Sequence, residues 1–150
     1  MFFFHCRHQF FLNAKQQFLS GRLRFLPENE VVNLAALLVL IHQIEFAKPS
    51  KSILTSATDS EQFLPPGYQS DALMNLAIVH CAKLGMLSEE AAKSRFLKAA
   101  SSSLFFGVHL HESKDDGGKV IHVGVGHDGI TEYGEEWKLR QRYVDETSRY

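Results

Sequence analysis

Two cysteines, one tryptophan and four prolines are all that the 150 residues hold of those types, and no Asn-x-Ser or Asn-x-Thr site occurs. Thiols as far apart in sequence as Cys6 and Cys81 make no disulfide framework, so a reducing, cytoplasmic setting is expected. Surplus charge is missing too: 16 Lys+Arg against 17 Asp+Glu leave a formal charge of -1, which gives no global pull toward phosphate backbones or anionic lipid. Nucleic acid is therefore not an expected partner. The longest apolar run, Val31 to Ile41, is broken by Asn33 and falls far short of the ~20 residues that a membrane helix requires, so no transmembrane segment is expected. Phe2 to Phe4 is too short for a signal core, and His5, Cys6 and Arg7 come next in place of a small-residue cleavage site. What the chain does have is apolar bulk. It is 45% hydrophobic with 12 Phe, enough at this length to bury roughly two thirds of the extended surface and fold without disulfide or metal.

Hydrophobic periodicity divides the chain in two. Phe11, Ala14, Phe18 and Leu19 fall on one helical face, and Gly21 stands where a left-handed C-terminal cap is wanted. Pro27, Glu28 and Glu30 suit the start of a second helix running to about Phe46. Its residues from Val31 to Ile44 leave almost no polar stripe, which predicts a helix surrounded by others at the centre of a bundle. Lys48 to Gly67, rich in Ser, Thr and Pro, reads as a long exposed connector. Ser70 caps a third helix with Leu73, Leu76, Ala77, His80 and Leu84 on one face, closed by Gly85. Ser88 caps a fourth, with Ala92, Phe96, Ala99 and Ala100 inward. After Leu104 the period shortens: Val108 and Leu110 alternate with His109 and His111, Asp115 to Gly118 supply a turn, and Val120 to Val125 form a second strand. Asp128-Gly129 makes another turn before Ile130 to Tyr133, and Trp137 to Val144 alternates again. The expected class is α+β, four helices and then the start of an antiparallel sheet.

Few residues carry chemistry. Gly124, Gly126 and Gly129 spell GxGxxG, but the next residues, Ile130-Thr131-Glu132-Tyr133, read as a strand rather than a helix, so a glycine-rich β turn is expected and no nucleotide site. His109 and His111 share a strand face. An even-numbered loop about Asp116-Gly117 places His122 opposite His111 and offers three imidazoles to zinc, whereas a three-residue loop turns His122 to the other face. His80 on an apolar helix face reads as a hydrogen-bonded packing residue, and Cys81 as a small buried hydrophobe. No nucleophile turn of the GxSxG kind occurs, so no catalytic residue and no cofactor are expected. Lys138, Arg140 and Arg142 alternate with Trp137, Leu139, Gln141 and Tyr143. A strand there exposes a cationic row suited to phosphoinositide head groups or acidic peptide tails, and such a row equally serves a solvated edge that resists strand pairing. Arg7, Lys15, Arg22 and Arg24 offer a second basic surface.

Several segments together resemble a family. Arg7 to Lys15 (Arg-His-Gln-Phe-Phe-Leu-Asn-Ala-Lys) with Gly21-Arg22-Leu23, then Leu34-Ala35-Ala36-Leu37 and Gln43-Ile44-Glu45-Phe46, are similar to the first two helices of the central lobe of a FERM domain. His80 with Gly85 to Ala91, and Phe96-Leu97 through Phe106-Gly107-Val108, resemble that lobe's last helix and its exit. Gly124-Val125, Gly129-Ile130 and Tyr133 fall where the third lobe's early strands carry the same types. Among the departures, Ala47-Lys48 stands where Gly-Asp is usual and Phe106 replaces a tyrosine. The resemblance, to the band 4.1, ezrin and FERM-phosphatase superfamily, implies a four-helix acyl-CoA-binding-protein-like bundle over 1–104. It adds an incomplete PH-like sheet over 105–150, with no ubiquitin-like first lobe. It further implies a non-catalytic adaptor at the cytoskeleton or the inner face of the plasma membrane, with the cytoplasmic tails of membrane proteins, phosphoinositides and cytoskeletal proteins as partners. Two alternatives are a regulatory FERM segment of a larger protein tyrosine phosphatase and a small zinc protein built on His109, His111 and His122.

Overall fold

A computed structural model of the chain describes residues 2–45, 57–127 and 129–143. Among the described residues five helices precede a four-stranded sheet, and the chain divides between Phe106 and Gly107 into two compact units. The α+β order read from the periodicity is the observed one.

In the first unit local capping sets the helix ends. α1 (Phe2–Leu19) stops at Gly21, whose φ of +76° is open to glycine without strain. α2 (Glu28–Glu45) begins with Glu28 and Glu30 in its first turn, where acids complement the positive end of the dipole. Ser70 accepts from the Leu73 N–H at 3.2 Å to start α4 (Asp71–Lys83). Ser88 does the same from Ala91 at 3.1 Å for α5 (Glu89–Ser101). The segment 48–67 is not wholly a connector. Ala57–Phe63 forms a short α3, and Phe63 and Leu64, 3% and 0% exposed, enter the core; residues 48–56 lie outside the described residues. Among its described residues the segment contributes the adjacent apolar side chains Phe63 and Leu64 to the core, too short a stretch for helical periodicity to register.

Packing obeys the hydropathy of α2, whose residues from Leu34 to Val39 are all buried and which contacts α3, α4 and α5. Phe96 of α5 lies edge-on to Phe11 and Phe18 of α1, with ring centroids 5.4 and 5.9 Å apart, the arrangement that the ring quadrupole favours. On α4 the buried stripe is Met74, Ala77 and Cys81, while Leu76 is half exposed, a correction to the expected face. The true stripe keeps helical spacing but sits rotated from the expected one, because α4 packs on both α2 and α3. Among the described residues one charged group enters the core. Lys93 of α5 is 5% exposed, with its Nζ 2.6 Å from Glu89 Oε1, 3.6 Å from Glu45 Oε1 and 3.2 Å from His8 Nδ1. It also lies 5.5 Å from the centroid of the Phe11 ring. Three helices thus meet at one ammonium, and since that group only donates, His8 Nδ1 must be the acceptor.

The second unit is an antiparallel meander in the order β1-β2-β3-β4, with β1 His109–Lys114, β2 Val120–Gly126, β3 Gly129–Tyr133 and β4 Leu139–Tyr143. Gly124 is required by close packing, because a Cβ there would come within 2.9 Å of Val108 and 3.3 Å of the Tyr133 ring. Tyr133 and Ile121 are the buried apolar residues of this unit among those described. Val125, Ile130 and Tyr143 lie side by side across three strands and are all exposed.

Candidate ligand-binding surface

The hairpin between β1 and β2 organises one end of the sheet. The Asp115 N–H donates to the Lys119 carbonyl at 2.9 Å, and Gly118, at φ +80°, donates to the Asp115 carbonyl at 2.9 Å. Three residues therefore make the turn, with the last in the left-handed conformation, a frequent solution for a three-residue hairpin. Asp115 Oδ1 accepts from the N–H groups of Gly117 (3.0 Å) and Lys119 (2.9 Å), and Oδ2 accepts from Arg140 Nη1 at 3.1 Å. These donors favour the ionised carboxylate. The Lys119 N–H chiefly, with Arg140 and the Gly117 N–H adding to it, holds the Asp115 carboxyl below the usual carboxylate range against the opposing effect of partial burial.

Arg140 reaches the tip because of an irregularity in β4. Glu132 pairs with Gln141 but Tyr133 pairs with Leu139, so the register slips by one and Arg140 is the extra residue. The expected strand from Trp137 begins instead at Leu139, since Glu135–Trp137 form a 3-10 turn with Glu136 and Trp137 at positive φ; Val144 lies outside the described residues. Gly134 lets the Arg140 stem lie on the backbone, for a Cβ at that position would stand 2.9 Å from Arg140 Cδ. Lys138 Nζ is 3.5 Å from Glu136 Oε2, both side chains being largely exposed, and Arg142 pairs with Thr131 across the ladder. The three cations are thus all exposed on or beside β4, and two of them already face an acid. Sequence reasoning missed Asp115 as a partner, although an Asp ahead of Gly117-Gly118 is a turn signal.

The remaining candidates resolve one by one. His111 pairs with Val123 and His122 with Glu112, so His122 lies on the face opposite His109 and His111. The three-residue loop sets that parity and removes the zinc site. Among the described residues no group of three or more His, Cys, Asp or Glu is arranged to hold a metal. His122 instead stacks on Trp137 at 4.2 Å between ring centroids. Gly124 and Gly126 lie in β2 and Gly129 in β3, a strand-to-strand passage with no helix start; Asp128 lies outside the described residues. His80 is half-buried with Nε2 3.2 Å from Asn33 Oδ1, a hydrogen-bonded packing residue. Cys81 is buried, and desolvation pushes its thiol up. No helix among the described residues is long and apolar enough to cross a membrane.

A helical body leading into an antiparallel meander is the order of the FERM central lobe and the start of its third lobe, and comparison with known proteins agrees. The FERM central domain model matches residues 5–111. This chain belongs to the FERM family. Over 129 residues it is 31% identical to the tyrosine-protein phosphatases non-receptor type 4 of Homo sapiens and Mus musculus, a match that covers 86% of the chain and 13% of each phosphatase. The chain therefore spans a small part of the relatives it matches. In fold it is similar to the FERM domain in the complex of the FERM and C-terminal domains of Drosophila Merlin (TM-score 0.68, 17% identity, 93% of this chain and 48% of that one). It is similar as well to the C-terminal MyTH4-FERM domain of human Myosin 7b, solved with the harmonin-a PDZ3 domain (TM-score 0.65, 20% identity, 89% and 29%).

Proposed function

We propose that this chain is a non-catalytic FERM adaptor module that links the cytoplasmic tails of membrane proteins, or phosphoinositides, to the cytoskeleton at the inner face of the plasma membrane. Its helical lobe, residues 1–104, acts as scaffold, and its third-lobe strands, within residues 105–150, present the contact residues Lys138, Arg140 and Arg142. The observation that carries this reading is the exposure of those three cations together on and beside one sheet strand. A row of cations near a membrane gains roughly 1 kcal/mol for each Lys or Arg close to an anionic surface. The test is sedimentation with liposomes made with and without phosphoinositide, in parallel with an acidic tail peptide, for the wild type and for K138E/R140E/R142E. Loss of binding in the triple variant supports the assignment, and equal binding by both proteins discards it.

A second reading is favoured by the likeness to the two phosphatases: the chain is the regulatory FERM segment of a larger protein tyrosine phosphatase. Immunoprecipitation of the native protein with an antibody to this chain tests it. A species much larger than 17.0 kDa that carries phosphatase activity supports it, and a species of that mass without activity refutes it.

A further inference from the structure

α4 carries two stripes. Met74, Ala77 and Cys81 face the core, while Ala72, Leu76, Val79 and Lys83, spaced i, i+4, i+7 and i+11, are all exposed. At 3.6 residues per turn the two stripes lie on nearly opposite sides of the helix. Leu76 and Val79 are 51% and 52% exposed, and beside them a groove of about 580 Å³ opens against Val32 of α2. A surface helix ordinarily turns a polar back to water; α4 instead shows water a second apolar stripe, at the spacing by which one helix packs along another. We propose that this face is the seam of a symmetric dimer, in which α4 packs antiparallel against α4 of a second copy of the chain. The inference concerns the helical unit alone and does not rest on the cationic row of β4.

The placement of charge selects a second copy as the occupant. Asp71 is exposed one residue before the stripe, and Lys83 is exposed at its end. A two-fold axis midway between Leu76 and Val79 lays Leu76 on the partner's Val79 and Val79 on the partner's Leu76. It also sets Ala72 opposite the partner's Lys83. The small Ala72 leaves room for the lysine stem to cross it, and the ammonium then lies one residue from Asp71. The same pairing recurs at the other end of the seam, as an isologous interface requires. A parallel arrangement would set Lys83 against the partner's Lys83 and Asp71 against the partner's Asp71, where like charges repel. Glu28 and Glu30 belong to α2 and stand exposed along the groove, outside the α4 seam. Their surplus of negative charge opposes association, and one helical seam is smaller than the roughly 800 Å² that each partner gives to a standard interface. The dimer is therefore weak and depends on concentration.

Sedimentation equilibrium of the whole chain, at concentrations reaching about 1 mM, tests the proposal. The mass should rise from 17.0 kDa toward twice that value. L76Q/V79Q replaces the apolar centre of the seam with good helix formers and should weaken association at least about tenfold. D71K and K83E should each weaken it roughly threefold, the scale of exposed ion pairs. D71K/K83E restores opposite charges across the dyad and should associate more tightly than either single variant. A mass that stays at 17.0 kDa at every concentration overturns the inference and leaves the face to a partner of other chemistry. A dimer indifferent to L76Q/V79Q overturns the choice of face, and a double charge variant no tighter than the single ones overturns the antiparallel arrangement. Far-UV circular dichroism equal to wild type in each variant shows that α4 is intact and that the change lies at the seam.

Discussion

Lys93 offers the sharpest test of how the helical unit is held together. Its ammonium is almost fully buried, whereas Glu89 and Glu45, its two acidic partners, each keep 37% of the side chain exposed. The two sides of the cluster should therefore respond differently to substitution. Lys93→Met preserves the stem in a packed site and leaves behind carboxylates that water can reach, so the variant should lie within about 1 kcal/mol of wild type. Lys93→Ala also removes three buried methylenes at about 0.8 kcal/mol each and should cost about 2–3 kcal/mol. Glu45→Gln with Glu89→Gln keeps the charge but takes away its counter-charges. With His8 and the Phe11 ring left beside the ammonium, the loss should be about 3 kcal/mol, the low end for an uncompensated buried ion. Urea unfolding monitored by far-UV circular dichroism reads the helices, while fluorescence of Trp137, the single tryptophan, reports the sheet unit separately. A cost for Lys93→Met equal to that for Lys93→Ala would refute this picture, since the charge itself would then be stabilising. A cost under about 1 kcal/mol for the double Gln variant would refute it equally, since the ammonium would then be reaching water.

The same contacts carry further expectations. Because the folded carboxyl of Asp115 is depressed, its contribution to the hairpin is present above the ordinary Asp value of about 3.9 and is lost only as pH falls through the lower folded value. The Gly117 and Lys119 amide shifts should thus hold constant from neutral pH down to about 4 and move below it. R140Q should raise that onset only modestly, the Lys119 N–H being the larger cause. Cys81, buried with its thiol pushed up, should resist alkylation at neutral pH until the chain unfolds, while Cys6, partly exposed, reacts in the native state; equal rates for the two would contradict the packing of α4. Amide exchange should be faster after Gly107 than in α2 and α5, because a four-stranded sheet with the exposed row Val125, Ile130 and Tyr143 buries little. Uniform protection across both units would count against this account of the sheet.

Much of the architecture is written in short-range signals. Ser70 and Ser88 satisfy N–H groups three residues on, Gly21 and Gly85 take the left-handed conformation just beyond helix ends, and the apolar run Leu34 to Ile41 leaves α2 no polar stripe and sends it to the centre of a bundle. Each depends on neighbours within a turn or two, so periodicity and cap chemistry determine it, and the family likeness rests on the same segments. The tertiary structure decided what depends on partners distant in sequence. Whether the turn held two, three or four residues set the face of His122, and one inserted residue in β4 delivered Arg140 to Asp115, 25 positions earlier. No local signal sets Lys93 apart from other cations on a helix, yet it is the buried tie between α1, α2 and α5. Strand parity turns over with a single residue, and a charge takes its meaning from what the fold brings within about 4 Å of it; neither is contained in any local stretch of the chain.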